Sequence, residues 1–193
     1  MVNNMKKSIL LDVDEVVCFP GFLNAANDFL GTDYKIDDFS DYYLDSVAIP
    51  KERMGEFIKF INNRNLYDDA VLLPDAFEVI KKLNDVYDIY ILSSCINPFD
   101  IEGSGRLFKD KYDFLVRELP FLDVKKFIFS ATKNIIKADI QIDDRLHNLD
   151  NDIPVKILFS SYHNMEDVFD DKIVRAGTHW SNAWKDIEKM LLG

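Results

Sequence analysis

Five short runs rich in β-branched and aliphatic residues recur along the chain, at positions 8–13, 88–92, 126–129, 139–142 and 155–159. Each is almost continuously apolar rather than alternating, the pattern of strands buried on both faces in a parallel sheet. Between them lie segments of helical periodicity. Ala76, Val79, Ile80 and Leu83 fall at i, i+3, i+4 and i+7 just after Pro74, a residue suited to a first helical turn. Leu107, Phe108, Tyr112, Leu115, Val116 and Leu119 form a second apolar stripe, and Trp180, Trp184, Ile187 and Leu191 a third, read as core. Strand and helix in alternation specify an α/β fold, a doubly wound (Rossmann-like) parallel sheet.

One connection breaks the alternation. From Phe19 to Leu73 no good strand occurs, yet Phe22, Ala25, Ala26, Phe29 and Leu30, then Met54, Phe57, Ile58 and Ile61, repeat at helical spacing. The expected organisation is an α/β core of residues 1–18 and 74–193 with a small helical cap of residues 19–73 inserted after the first strand. Ligands of open α/β sheets bind beyond the carboxyl ends of the strands, so such an insert would overhang the site. Gly103-Ser-Gly105 completes neither a GxGxxG nor a GxxxxGK pattern and reads as a flexible loop.

Composition removes whole classes of function. The 193 residues carry a net charge of −11, and no basic run exceeds a lysine pair, which disfavours a nucleic-acid polymer as partner. No stretch approaches the roughly 18 apolar residues of a membrane helix. Asp12 and Asp14 interrupt the apolar run that follows Lys6-Lys7 too early for a signal peptide. Cys18 and Cys95 form neither a CxxC pair nor a disulfide framework, so a cytoplasmic location is expected. His147, His163 and His179 lack zinc-site spacing, and His163-Asn164 reads as a structural turn. Any metal here should have oxygen ligands.

The chemistry collects at the strand ends. The first strand runs into Asp12-Val-Asp14, the second into Ser93-Ser94, the third is followed by Lys133, and the fourth runs into Asp143-Asp144-Arg145. Parallel neighbouring strands would bring these positions together. The set suits phosphoryl transfer to a carboxylate: Asp12 as nucleophile and Asp14 as general acid, then base. Ser93, Ser94 and Lys133 would bind phosphate. Mg²⁺ would be held by Asp12, by Asp14 through its carbonyl and by Asp144, with Asp143 supporting.

These residues resemble a family. Ile9-Leu-Leu-Asp-Val-Asp14, Ile91-Leu-Ser93, Lys133 and Ile142-Asp-Asp144 are similar to the four motifs of the haloacid dehalogenase superfamily of phosphatases. A narrower resemblance, spanning nearly the whole chain, is to the 5′(3′)-deoxyribonucleotidases. It rests on Leu73-Pro-Asp-Ala-Phe77, Ala138-Asp-Ile-Gln-Ile-Asp-Asp-Arg145, Leu158-Phe-Ser-Ser-Tyr-His-Asn164 and Trp180-Ser-Asn-Ala-Trp184. The resemblance implies a Mg²⁺-dependent hydrolase acting on nucleoside monophosphates, with the residue roles just given and Arg145 near the substrate. It departs at Glu15, where relatives commonly have glycine, and across the insert. There Phe19, Phe22, Tyr42, Tyr43 and Tyr67 are aromatic candidates for stacking on a base, though packing is the commoner use of such rings.

Two other readings compete. One is a phosphatase of the same superfamily acting on another small phosphate ester. The other is a non-catalytic phospho-accepting or nucleotide-binding protein, and the order of motifs counts against a receiver module, which places its acidic pair first. A homodimer is left open by the sequence.

Overall fold

The computed structural model describes residues 6–42, 48–96, 101 and 103–193. Its centre is a six-stranded sheet, parallel throughout: β1 (Ser8–Leu11), β4 (Asp88–Ser93), β5 (Phe127–Phe129), β6 (Ile140–Asp143), β7 (Val155–Phe159) and β8 (Ile173–Ala176), in the order β5-β4-β1-β6-β7-β8. Successive β1 side chains enter opposite faces, as strand geometry requires. Ile9 and Leu11 join the larger core cluster, and Leu10 packs with Leu92 and Ile153 on the other side.

Four of the five expected strands agree with the sheet to within a residue at each end, while the first stops at Leu11, two residues early. The sixth, β8, escaped the sequence reading for a plain reason. Its apolar run is only Ile173-Val174, Val174 is half exposed, and Arg175 follows, so an edge strand carries little hydrophobic signal.

Three helices flank the sheet and pack into the core cluster that contains Ile9 and Leu11. In α3 (Ala76–Val86) the four periodic residues Ala76, Val79, Ile80 and Leu83 are all buried. The helix α5 (Trp180–Leu192) buries Trp184 and Ile187, with Trp180 and Leu191 packed against the same core. Trp184 is fully buried, and its indole Nε1 donates to the carbonyl of Val16 at 2.8 Å, tying this helix to the turn beyond β1.

The helix α4 (Ser104–Glu118) corrects two expectations. Gly103-Ser104-Gly105 is the start of a helix rather than a loop, with Gly103 at the N-cap. The buried stripe is Ser104, Asp110, Lys111, Phe114 and Leu115, while Tyr112 and Val116 are 39% exposed. Reading only apolar positions rotated the helix, because a lysine and an aspartate occupy its inner face.

The insert leaves and rejoins the core through a two-stranded antiparallel ribbon, β2 (Cys18–Phe19) against β3 (Val71–Leu72). Within it α1 (Phe22–Leu30) ends on Gly31 in the left-handed region at φ 71°, a conformation natural to glycine. The second insert helix, α2 (Met54–Ile61), buries Phe57 against Phe22 and Phe29 at ring separations of 5.5 and 5.3 Å. Ala26, Ile49 and Phe57 form a small core separate from that of the sheet.

Candidate active site

Strand order alone locates the site. The chain passes from β1 to β4 and outward to β5, then returns to the other side of β1 for β6, β7 and β8. A reversal of this kind opens a crevice at the carboxyl ends of the central strands. Leu11 stands level with Ile91 of β4 and Ile142 of β6, so the three strands end within two residues of one another. The backbone N–H of Asp12 donates to the carbonyl of Ile142 at 3.1 Å and fixes that alignment. Asp12, Asp14, Ser93, Ser94, Lys133 and Asp144 consequently line one cleft of about 280 Å³, together with Tyr42, Arg145, His147 and Asn148.

Three carboxylates share the floor. Asp12, Asp143 and Asp144 are buried, and one oxygen from each lies within 4.8 Å of the others. Lys133 offsets part of this charge, its ammonium 2.7 Å from Asp12 Oδ2 and 2.8 Å from Asp143 Oδ2. Burial alone would raise the pKa of Asp12, but the charges of Lys133 and Lys111 outweigh it and hold the carboxyl below its ordinary range. Burial lowers and the two aspartates raise the pKa of Lys133, with a net rise, so the lysine stays protonated. Asp143 is pushed up to about 7 by burial and by the charge of Asp12, against the pull of Lys133. Asp144 also reaches about 7, through burial, which outweighs its hydrogen bond from His163, and the charges of Glu15 and Asp12.

Such a cluster is short of positive charge, and its donors are hard carboxylate oxygens, a set that fits a divalent cation of the Mg²⁺ kind. Asp143 is the most engaged member. Beside Lys133 it accepts from Asn148 Nδ2 at 2.8 Å and from the Arg145 N–H at 3.1 Å, so both of its oxygens are committed within the protein.

Asp14 is held from two sides. Tyr67 Oη donates to Oδ1 at 2.6 Å, and Lys111 Nζ donates to Oδ2 at 2.8 Å. Lys111 was not among the residues singled out from sequence. Tyr67, considered there as a stacking ring, instead turns its hydroxyl to Asp14 and its ring to Phe114.

Glu15 adopts φ 64°. That is the left-handed region in which glycine is unstrained and a residue with a side chain is not. Here the residue carries a side chain into the site. Its Oε1 accepts from Tyr162 Oη at 3.0 Å, and its Oε2 lies 2.9 Å from His163 Nε2. The same His163 nitrogen bonds Asp144 Oδ2 at 2.8 Å. Burial would depress the pKa of His163, but hydrogen bonds and charges from Asp144 and Glu15 raise it to about 9. The imidazolium so formed offsets the charge that Glu15 brings. His163 is thus a partner of a site carboxylate, more than the structural turn read from sequence. Asn164 does make that turn, donating to the carbonyls of Asp144 and Phe159 at 2.7 Å each.

The substrate-contact candidates divide. Arg145 lines the cleft with its guanidinium 3.9 Å from the ring centre of Tyr42. Phe19 does not line it; the ring packs on Trp180 at 5.2 Å and on Tyr162 at 6.1 Å. Phe22 packs on Phe57 in the insert. Tyr43 lies outside the described residues.

Comparison with known proteins identifies the fold and the family. A solved structure from Burkholderia xenovorans LB400, provisionally named a haloacid dehalogenase-like hydrolase, matches with a TM-score of 0.54 at 11% identity over 94% of this chain and 98% of that one. The fold is therefore haloacid dehalogenase-like. A Staphylococcus aureus (strain Mu50) protein, provisionally named 5′(3′)-deoxyribonucleotidase, is 33% identical over 97% of this chain and 96% of its own. The 5′(3′)-deoxyribonucleotidase of Bacillus subtilis (strain 168) is 27% identical over 97% of this chain and all of its own length. The family model described as 5′ nucleotidase, deoxy (pyrimidine), cytosolic type C protein matches residues 6–192, and the chain belongs to that family.

Proposed function

We propose that the protein is a Mg²⁺-dependent phosphatase of deoxynucleoside monophosphates working through an aspartyl-phosphate on Asp12. Family membership makes it a phosphoric monoester hydrolase. The observation that carries the finer reading is the convergence of Asp12, Asp14, Ser93, Lys133 and Asp144 on a single cleft at the switch point of the sheet.

The roles follow from local chemistry. Asp12 is the nucleophile because it stays ionised despite burial. Asp14 is the less buried of the two carboxylates, its side chain 36% exposed, and so has room to protonate the departing nucleoside and then take a proton from water. Lys133 spends two N–H bonds on Asp12 and Asp143 and has a third for a phosphate oxygen. Ser93 and Ser94 line the same cleft and would donate to the phosphate. A divalent cation bound by Asp12, Asp144 and the Asp14 carbonyl would neutralise charge on the phosphate. The helical insert acts as a cap that selects the nucleoside, with Tyr42 and Arg145 on its side of the cleft. Cys18 and Cys95 are both free thiols, which supports a reducing, cytoplasmic setting.

The test is phosphate release from dUMP and dTMP with Mg²⁺, and its loss in Asp12→Asn. An enzyme inactive on both nucleotides and on an aryl phosphate would overturn the reading. Ranking a panel of monophosphates by kcat/KM separates a nucleotidase from a phosphatase of some other small ester.

A further inference from the structure

Apart from its charge, which with that of Lys133 keeps Asp12 ionised, Lys111 has no task in the mechanism above, although it reaches the centre of the site. It projects from α4 with 1% of its surface exposed. A buried ammonium costs several kcal/mol unless it is paired and hydrogen-bonded. Lys111 Nζ lies 2.8 Å from Asp14 Oδ2, 2.8 Å from Ser93 Oγ and 2.5 Å from the Ser94 carbonyl. An ammonium has three protons and accepts nothing, so three acceptors use it completely. No N–H remains for a substrate oxygen. Lys111 is also absent from the lining of the cleft, where Lys133 is present.

Both side chains that Lys111 bonds face that cleft. Because Lys111 accepts nothing, the hydroxyl proton of Ser93 cannot turn back toward it and is left for a partner elsewhere. The carboxylate of Asp14 is fixed in rotation, with Lys111 on one oxygen and Tyr67 on the other. Tyr67 is itself secured by α4, where Arg117 donates to its carbonyl at 3.2 Å and Phe114 meets its ring at 5.5 Å.

The geometry points to Lys111 as a positioning residue that aims the Asp14 carboxyl at the leaving group and frees the Ser93 hydroxyl for phosphate, without itself touching substrate. The inference rests on the phosphatase reading. Aim matters because a displacement of about 1 Å in a reacting group can cost about a hundredfold in rate.

Leaving-group dependence tests it. A nucleoside alkoxide is a poor leaving group that needs a proton from Asp14, whereas p-nitrophenolate departs without one. The variants are Lys111→Met, of similar length and uncharged, and Lys111→Gln, which retains amide donors should the first fold poorly. The ratio of kcat/KM for the two substrates within one preparation is independent of the folded fraction. It also stops at phosphoryl transfer and so excludes the shared second step. The expected result is a fall of about 10²-fold for dTMP, the usual worth of a general acid, with about tenfold or less for p-nitrophenyl phosphate. Equal losses on both substrates, or no loss on either, overturn the inference while leaving the phosphatase reading intact. A wild-type enzyme inactive on both overturns that reading and this inference with it.

Discussion

Replacing Asn164 by alanine should destabilise the protein well beyond what the loss of one small polar side chain suggests. Asn164 is fully buried. Its Nδ2 donates to the carbonyls of Asp144 and Phe159, and its Oδ1 accepts from the Ser161 N–H and from Arg175 Nη1, both at 3.0 Å. Four hydrogen bonds worth about 1 kcal/mol each are lost together. Arg175 keeps a second bond, from Nη2 to the Asn164 carbonyl at 2.9 Å, so its share is the smallest. The expected cost is about 3–4 kcal/mol, since buried backbone groups of residues 144, 159 and 161 lose a partner. At about 2–4 °C per kcal/mol for a chain of this size, melting falls by about 10 °C. Urea unfolding gives the free energy directly. Asn164→Asp should cost at least as much, because it keeps the acceptor but turns a carboxylate oxygen toward two carbonyls. The Asp144 backbone is pinned by one of these bonds, so activity of the folded fraction should also drop. A cost below about 1 kcal/mol for Asn164→Ala would refute the reasoning, showing that water replaces the side chain in full.

Two further perturbations probe the floor of the site. Glu15→Ala and Glu15→Gly both lose the contacts to Tyr162 and His163, but only alanine retains the cost of φ 64°. The glycine variant should be the more stable by about 0.5–1 kcal/mol, the reverse of the usual order, and alanine ranking higher in chemical denaturation would mean that the left-handed turn is not kept. Mg²⁺ at about a hundred times its dissociation constant should stabilise the protein by about 2.7 kcal/mol, seen as a rise in melting temperature that Asp144→Asn abolishes. No shift with Mg²⁺ in the wild type would count against the carboxylate cluster as a cation site.

What the sequence disclosed, and what it hid, follows from the direction in which each residue's neighbours lie. Asp12, Ser93 and Asp143-Asp144 were legible because an apolar run that halts at a polar residue is a one-dimensional signal, and in a parallel sheet the halting points are where ligands bind. The helices Phe22–Leu30 and Met54–Ile61 were legible too, as a 3.6-residue periodicity that replaces the continuous apolar runs of the strands. Lys111, Tyr67 and His163 left no such trace. Their partners stand 97, 53 and 19 residues away, and nothing in the local chain distinguishes Tyr67 or His163 from packing residues. Lys111 carried one usable clue. Leu107, Phe108, Phe114 and Leu115 flank it at i−4, i−3, i+3 and i+4, which places a lysine in the middle of an apolar face. A lysine there either reaches along the helix to water or is paired inside. On a helix that packs against a sheet ending in carboxylates, the second arrangement has the counter-charge it needs, and the structure adopts it. The position of an inner-face cation relative to the strand ends is therefore as informative as the strand-end acids themselves.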